Sequence, residues 1–147
     1  MNGILFSDGN KNIFFDIIGY EFNYVKKMDY YDANWLTVNI RYTDSNTDKS
    51  FTDNCILTYE LANLVQQIED IISGKESGLI TEFMEPYLKF SVTKVKDIYA
   101  VQIRFVCDIA EEWKEVYVSQ GFNINELSEL RNGLDNLRKK FPERQCE

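Results

Sequence analysis

The chain has 147 residues, the length of one domain, and its 44% hydrophobic and 14% aromatic content excludes an intrinsically disordered protein. Its formal net charge of −8, from 24 acidic and 16 basic residues, is repelled by phosphate backbones, so we expect no direct binding to nucleic acid. The composition therefore predicts a single domain over residues 1–147 that suits a basic partner.

The N-terminus lacks a signal-peptide pattern, and no apolar stretch approaches the roughly 18 residues that a membrane-spanning helix needs. Cys55, Cys107 and Cys146 are an odd number of widely spaced cysteines, which argues against a disulfide scaffold and against a zinc site. We expect a cytoplasmic protein with free thiols and no association with membranes.

Alternating apolar residues in the first part of the chain predict antiparallel strands. Asp8-Gly9 between two apolar runs indicates an N-terminal hairpin. Residues 13–22 are typical of one strand, or of two strands broken by a bulge at Gly19. Residues 36–42 alternate with period two, and residues 51–57 form the expected returning strand after a polar loop.

The first amphipathic helix is predicted over residues 59–73, where apolar residues recur at spacings of three, four and seven. Thr58 is placed to act as its N-cap, and Gly74 sits where a helix commonly ends in a left-handed residue.

The second part of the chain shows the same alternation of strands. We expect a short strand within 79–84, a hairpin of residues 88–93 and 99–107, and a strand over 116–124 after an acidic bend at 111–114.

A second amphipathic helix is predicted over about 125–141. Asn123 as its N-cap would place Glu126 in a capping box, although Asn125 would cap equally well by residue type. Short hairpin connections and few helices argue against a parallel sheet. We predict an α+β fold: a mostly antiparallel, twisted sheet with two amphipathic helices packed on it.

Catalytic chemistry is poorly represented in this sequence. The chain has no histidine, so it lacks the commonest general base, and it has no glycine-rich phosphate loop. Residues 44–48 imitate the start of a calcium loop, but Lys49 and Cys55 occupy the positions that should hold Gly and Glu, so we expect a solvated hairpin loop. We predict a non-enzymatic protein without catalytic residues, metal or cofactor.

Two groups of aromatic and acidic residues are candidate partner-binding surfaces, because aromatic residues ringed by acids are typical of a hot spot that meets a basic partner. The first group is Asp29, Tyr31 and Asp32. The second is Asp108, Glu111, Glu112, Trp113 and Glu115. The alternative interpretation is that Trp35 and Trp113 are core residues and that the acids only protect strand edges from pairing.

Several short motifs resemble the WapI family of bacterial immunity proteins. They are residues 19–22 (GYEF), 31–36 (YDANWL), 58–61 (TYEL), 83–90 (FMEPYLKF) and 140–142 (KFP). The run Asp32-Ala33-Asn34-Trp35-Leu36 is the most specific of them, and the likeness covers most of the chain. No catalytic residue of the family is carried over.

The resemblance implies a small cytoplasmic antidote that binds and neutralises a cognate toxin domain. Toxins of this kind are often nucleases, which are basic because their substrate is polyanionic, and the acidic charge of this chain fits such a partner. The implied mechanism is occlusion of the toxin active site, with carboxylates mimicking phosphates. We expect a monomer or a weak dimer.

The aromatic side chains also fit a second hypothesis, a small-molecule or peptide-binding domain without catalysis. That hypothesis predicts an apolar concavity near Tyr30, Tyr31 and Trp35.

Overall fold

The computed structural model describes residues 3–109 and 112–145, which form eight strands and three helices. In chain order these are β1 (Ile4–Asp8), β2 (Lys11–Tyr20), α1 (Tyr30–Asn34), β3 (Trp35–Thr43), β4 (Asp48–Leu57), α2 (Thr58–Ile72), β5 (Gly78–Ile80), β6 (Leu88–Val95), β7 (Ile98–Ile109), β8 (Glu112–Phe122) and α3 (Ile124–Lys140). The predicted α+β class and its antiparallel strands are confirmed.

The strands form two four-stranded antiparallel sheets, in the orders β1-β2-β3-β4 and β5-β6-β7-β8. Each sheet is a simple meander, and each is followed by one amphipathic helix. The order of four strands and a helix therefore occurs twice, although the sequence shows no repeat. The two sheets contact each other through β1 and β8, where the backbone N–H of Ser7 donates to Gln120 Oε1 at 2.9 Å.

One hydrophobic core is built from both sheets and from α2 and α3. The buried residues of β2, β3, β6 and β7 follow the period-two alternation of the sequence, whereas β4 is buried only at its last three residues. Phe90 lies at the centre, with ring centroids 5.8 Å from both Phe6 and Phe15, so the two sheets meet through edge-to-face aromatic pairs.

The ends of the two long helices show which sequence signals determine them. Helix α2 ends before Gly74, whose φ of +85° is the predicted left-handed conformation. Asn123 caps α3 and accepts a hydrogen bond from the N–H of Glu126 at 2.8 Å, as the capping box predicts. Thr58 is not the N-cap of α2; it is the first helical residue, and its hydroxyl donates to Asn34 Oδ1 at 2.8 Å.

Two further predictions are corrected, and one element was not predicted. The unpredicted element is the short helix α1, in the stretch that precedes β3. Strand β5 ends at Ile80, so the predicted strand within 79–84 is mostly loop. The backbone N–H of Thr81, the first residue of this loop, still donates to the carbonyl of Phe90 at 2.9 Å. Strand β8 begins at Glu112, so the predicted acidic bend is strand from that residue onward. Among the described residues, no helix is long and apolar enough to cross a membrane.

Candidate partner-binding surface

The second predicted group lies on the hairpin of β7 and β8. Asp108 is directly opposite Trp113, and Val106 is opposite Glu115. Because opposite residues of an antiparallel pair share a face, Asp108, Trp113 and Glu115 project from the same side. Trp113 is 73% exposed, so the interpretation that it is a core residue is wrong. The structure therefore joins three of the predicted residues on one surface.

The other two members of this group are placed differently. Glu112 directly precedes Trp113 in β8, so the alternation of the strand directs its side chain to the opposite face. There its carboxylate lies 3.6 Å from Lys114 Nζ. Glu111 lies outside the described residues.

Glu115 is neutralised within the chain. Arg104 donates to it at 2.8 Å, and the same guanidinium lies 5.6 Å from the ring centroid of Tyr117. Lys11 Nζ lies 4.0 Å from that ring. Acidic character is therefore concentrated at the Trp113 end of the hairpin, while the Tyr117 end carries both cations.

A groove of about 330 Å³ runs from Trp113 towards the first sheet. Phe51 of β4 and Phe105 of β7 contact each other in it, with ring centroids 5.8 Å apart. The groove is lined by Phe51, Thr52, Asp53, Tyr87, Phe105, Val106, Cys107, Asp108 and Trp113. Sequence reasoning missed Asp53 and Tyr87. The packing of β4 beside β7 brings Asp53 to the hairpin, and Tyr87 reaches it just before β6, where its carbonyl accepts from the N–H of Val106 at 2.9 Å.

The first predicted group, Asp29, Tyr31 and Asp32, lies at the start of α1. Asp29 is the N-cap, and its carboxylate accepts from the N–H groups of Tyr31 and Asp32 at 2.9 and 3.4 Å. Tyr31 and Asp32 are exposed. Burial, and then the charge of Asp32, raise the pKa of the neighbouring Glu21 carboxyl. Asp29 thus has a structural role, and two side chains remain available to a partner.

The residues around α1 also hold the end of the chain. Arg144 lies 3.4 Å from the ring centroid of Tyr20 and donates to the carbonyl of Phe22 at 2.8 Å. The hydroxyl of Tyr30 bonds the carboxylate of Glu143, and burial together with this bond raises the pKa of Tyr30. Tyr20 and Tyr30 therefore hold the C-terminal segment in place through Arg144 and Glu143.

The grooves found on the described residues do not support an apolar concavity near Tyr30. None of five such grooves is lined by Tyr30, Tyr31 or Trp35. Trp35 is half-buried at the start of β3, while Leu36 is fully buried. This part of the chain anchors a strand, and the five grooves lie elsewhere on the described residues.

The calcium-like loop is an ordinary hairpin turn. Asp44 accepts from the N–H of Asn46 at 2.8 Å and from the hydroxyl of Tyr42 at 2.8 Å, and these bonds hold the pKa of its carboxyl below the usual range. Asp48 forms a bidentate salt bridge with Arg41, whose Nε and Nη2 donate to the two carboxylate oxygens at 2.9 and 2.7 Å. Within residues 3–109 and 112–145, no group of three Cys, Asp or Glu side chains is placed to hold a metal.

The two described cysteines, Cys55 and Cys107, are free and buried. Burial raises the pKa of Cys55 to about 12 and also raises the pKa of Cys107, so both stay protonated near neutral pH. Cys107 is a buried strand residue, as its alternation predicts.

Comparison with known proteins gives one family. A family model described as the immunity protein WapI-like family matches residues 4–142. No curated protein matches the chain.

Two solved structures are similar to the chain at low sequence identity. The plant transcriptional regulator PBF-2 is 12% identical, over 92% of this chain and 79% of its own, with a TM-score of 0.48. WHY3 from Arabidopsis thaliana is 10% identical, over 92% of this chain and 85% of its own, with a TM-score of 0.44. At these TM-scores the likeness carries no argument about fold or function.

Proposed function

The chain belongs to the WapI-like immunity protein family, and from this premise we propose that it neutralises one cognate toxin domain in the cytoplasm by binding to it. The protein carries out no reaction on the toxin. It acts by occlusion, covering the toxin active site so that the toxin substrate cannot enter. The main contact surface is the Trp113 end of the β7–β8 hairpin, and Tyr31 and Asp32 of α1 are additional contacts.

The exposure of Trp113 is the observation that carries this choice of surface. Tryptophan is enriched in the central hot spots of interfaces and contributes a large apolar area when it is covered. In this chain a tryptophan that is 73% exposed stands opposite Asp108 on a regular strand pair. A rigid strand is a good support for such an anchor, because little conformational entropy is lost on binding.

Charge indicates the kind of partner. The chain has a net charge of −8, which repels nucleic acids and steers a basic protein towards it. A nuclease is basic around its active site because its substrate is a polyanion. We therefore propose a basic nuclease domain as the toxin, with carboxylates of the immunity protein lying where substrate phosphates would bind.

The test uses the toxin domain encoded beside this chain. Wild-type protein should form a one-to-one complex with it, protect cells that express it, and lose affinity as salt rises. Trp113→Ala should weaken the complex by at least about tenfold, in line with a hot-spot residue. Ile80→Ala is the matched control, because Ile80 is 74% exposed on the same sheet and its loss should leave affinity unchanged.

Two results would contradict the proposal. Failure of the wild-type protein to bind the toxin or to protect cells would overturn the function. If Trp113→Ala and Ile80→Ala bound the toxin equally well, the function would stand and the proposed surface would be wrong.

A further inference from the structure

The groove beside Trp113 has the chemistry of a receptor for one cationic side chain. Two carboxylates line it from different elements, Asp53 from β4 and Asp108 from β7. The rings of Trp113 and Tyr87 line it as well. We propose that this groove takes the guanidinium of one arginine of the toxin, between the two carboxylates and against the aromatic rings. The inference rests on the proposed function and specifies how its surface binds.

The other end of the same hairpin shows the arrangement completed within the chain. There the ring of Tyr117 is contacted by Lys11 and by Arg104, and Arg104 pairs with Glu115 at 2.8 Å. At the Trp113 end the same types of residue recur, an aromatic ring and acids on one groove. In the part of the chain that the structure describes, neither Asp53 nor Asp108 is in an ion pair with a lysine or arginine. The missing component is a cation.

Charge and packing exclude the other kinds of side chain that could enter. A neutral apolar group would cover the two exposed carboxylates without pairing them, so the loss of their hydration would oppose the apolar contact. An acidic group would meet two like charges. A cation offsets the charge of both acids and is attracted by the faces of the rings.

Arginine fits the groove better than lysine does. Its planar guanidinium can stack on Trp113 while its N–H groups point to carboxylates on both sides. The ammonium of lysine is a compact, strongly hydrated charge with no planar face that could stack on a ring. The position of the acids on separate strands also suits a donor with several N–H groups in one plane.

The inference is tested on the immunity protein alone, with N-acetyl-arginine amide as the probe at low ionic strength. The chain has two tryptophans, so its 15N spectrum contains two indole signals, and Trp113→Phe assigns them. We expect the Trp113 signal to shift in a saturable way while the Trp35 signal stays in place. The neutral isostere, N-acetyl-citrulline amide, should leave both signals unchanged.

Substitution of the acids then identifies the site. Asp53→Asn and Asp108→Asn should each weaken the binding of the arginine probe several-fold, since each removes one of the two charges that face it. Asp97→Asn is the matched control: it removes the same charge from the exposed turn between β6 and β7 and should have no effect. Equal shifts with arginine and citrulline, or full binding by both groove variants, would overturn the inference.

The outcome is separable from the proposed function. A toxin that binds the wild-type protein and both groove variants with equal affinity would leave the immunity function in place and reject the arginine groove. Absence of any complex with the wild-type protein would reject the function, whatever the probe does.

Discussion

Asn34 and Arg144 pair with each other as two residues of neighbouring strands do. The side-chain amide of Asn34 donates to the carbonyl of Arg144 at 3.0 Å, and its oxygen accepts from the backbone N–H of Arg144 at 2.8 Å. The same oxygen accepts from the hydroxyl of Thr58, and the same amide donates to the carbonyl of Tyr30. One buried side chain therefore joins α1, the first turn of α2 and the C-terminal segment, with all its donors and acceptors in use.

Asn34→Ala should be strongly destabilising because it leaves several buried backbone and hydroxyl groups without partners. We expect a loss of about 3 kcal/mol in the free energy of unfolding, measured by urea denaturation. Asn63→Ala, at an exposed position on α2, is the control and should change this free energy by less than about 0.5 kcal/mol. Equal effects of the two substitutions would refute the structural role of Asn34.

The sequence predicted the long helices and the hairpins because these depend on local periodicity and on caps such as Asn123. Helix α1 escaped prediction because five residues are too few to show a period, and tyrosine, aspartate and asparagine favour helices weakly. Its stability comes from the Asp29 cap and from the distant Arg144, and no local pattern reports such a contact.

The exposure of Trp113 could have been predicted. Val116 and Val118 are buried, so the same alternation carried back along β8 places Trp113 on the exposed face. The sequence pattern instead predicts a strand that starts at residue 116, because the acidic residues 111–114 are interpreted as a bend. That Asp53 and Asp108 line one groove could not be predicted, since it depends on how the first sheet packs beside the second.

Gly78 and Gly19 should respond in opposite ways to alanine. A Cβ at Gly78 would lie 2.6 Å from the carbonyl oxygen of Val92, while a Cβ at Gly19 meets nothing within 4 Å. Gly78→Ala should lower stability by about 1–3 kcal/mol through forced displacement of β5 from β6. Gly19→Ala should be neutral or stabilising by up to about 1 kcal/mol, because it restricts the unfolded chain. Thermal unfolding of both variants decides the point, and a Gly78→Ala protein as stable as Gly19→Ala would contradict the packing of β5.

Glu60 joins the start of α2 to the loop that follows β5. Its two carboxylate oxygens accept from the backbone N–H of Leu57 at 3.0 Å and from that of Met84 at 2.7 Å, and the side chain is buried. Glu60→Gln would place an amide N–H against one of these N–H groups whichever way it turns, so we expect a loss of about 1–3 kcal/mol in unfolding free energy. Glu82→Gln makes the same change at an exposed site of the same loop and should be close to neutral. A Glu60→Gln protein with wild-type stability would show that neither bond is needed.

Stability should fall at alkaline pH, with Cys55 as a main cause. Burial raises the pKa of Cys55 from 9.0 to about 12, so between these values the unfolded chain releases the thiol proton while the folded protein keeps it. The unfolded state then binds fewer protons, and the free energy of unfolding decreases by up to about 1.4 kcal/mol per pH unit for one such group. Below pH 9 the contribution is fully present.

Cys55→Ala should lower stability at pH 7, because it leaves a small cavity, but should flatten the decline between pH 9 and 12. Tyr42 adds its own decline above pH 10, since burial and the bond to Asp44 raise its pKa to about 12. Tyr42→Phe should remove this decline, together with the hydrogen bond to Asp44. Urea denaturation of the three proteins at several pH values measures these slopes. Parallel curves for the wild type and Cys55→Ala would show that the thiol of Cys55 ionises as readily in the folded protein as in the unfolded chain.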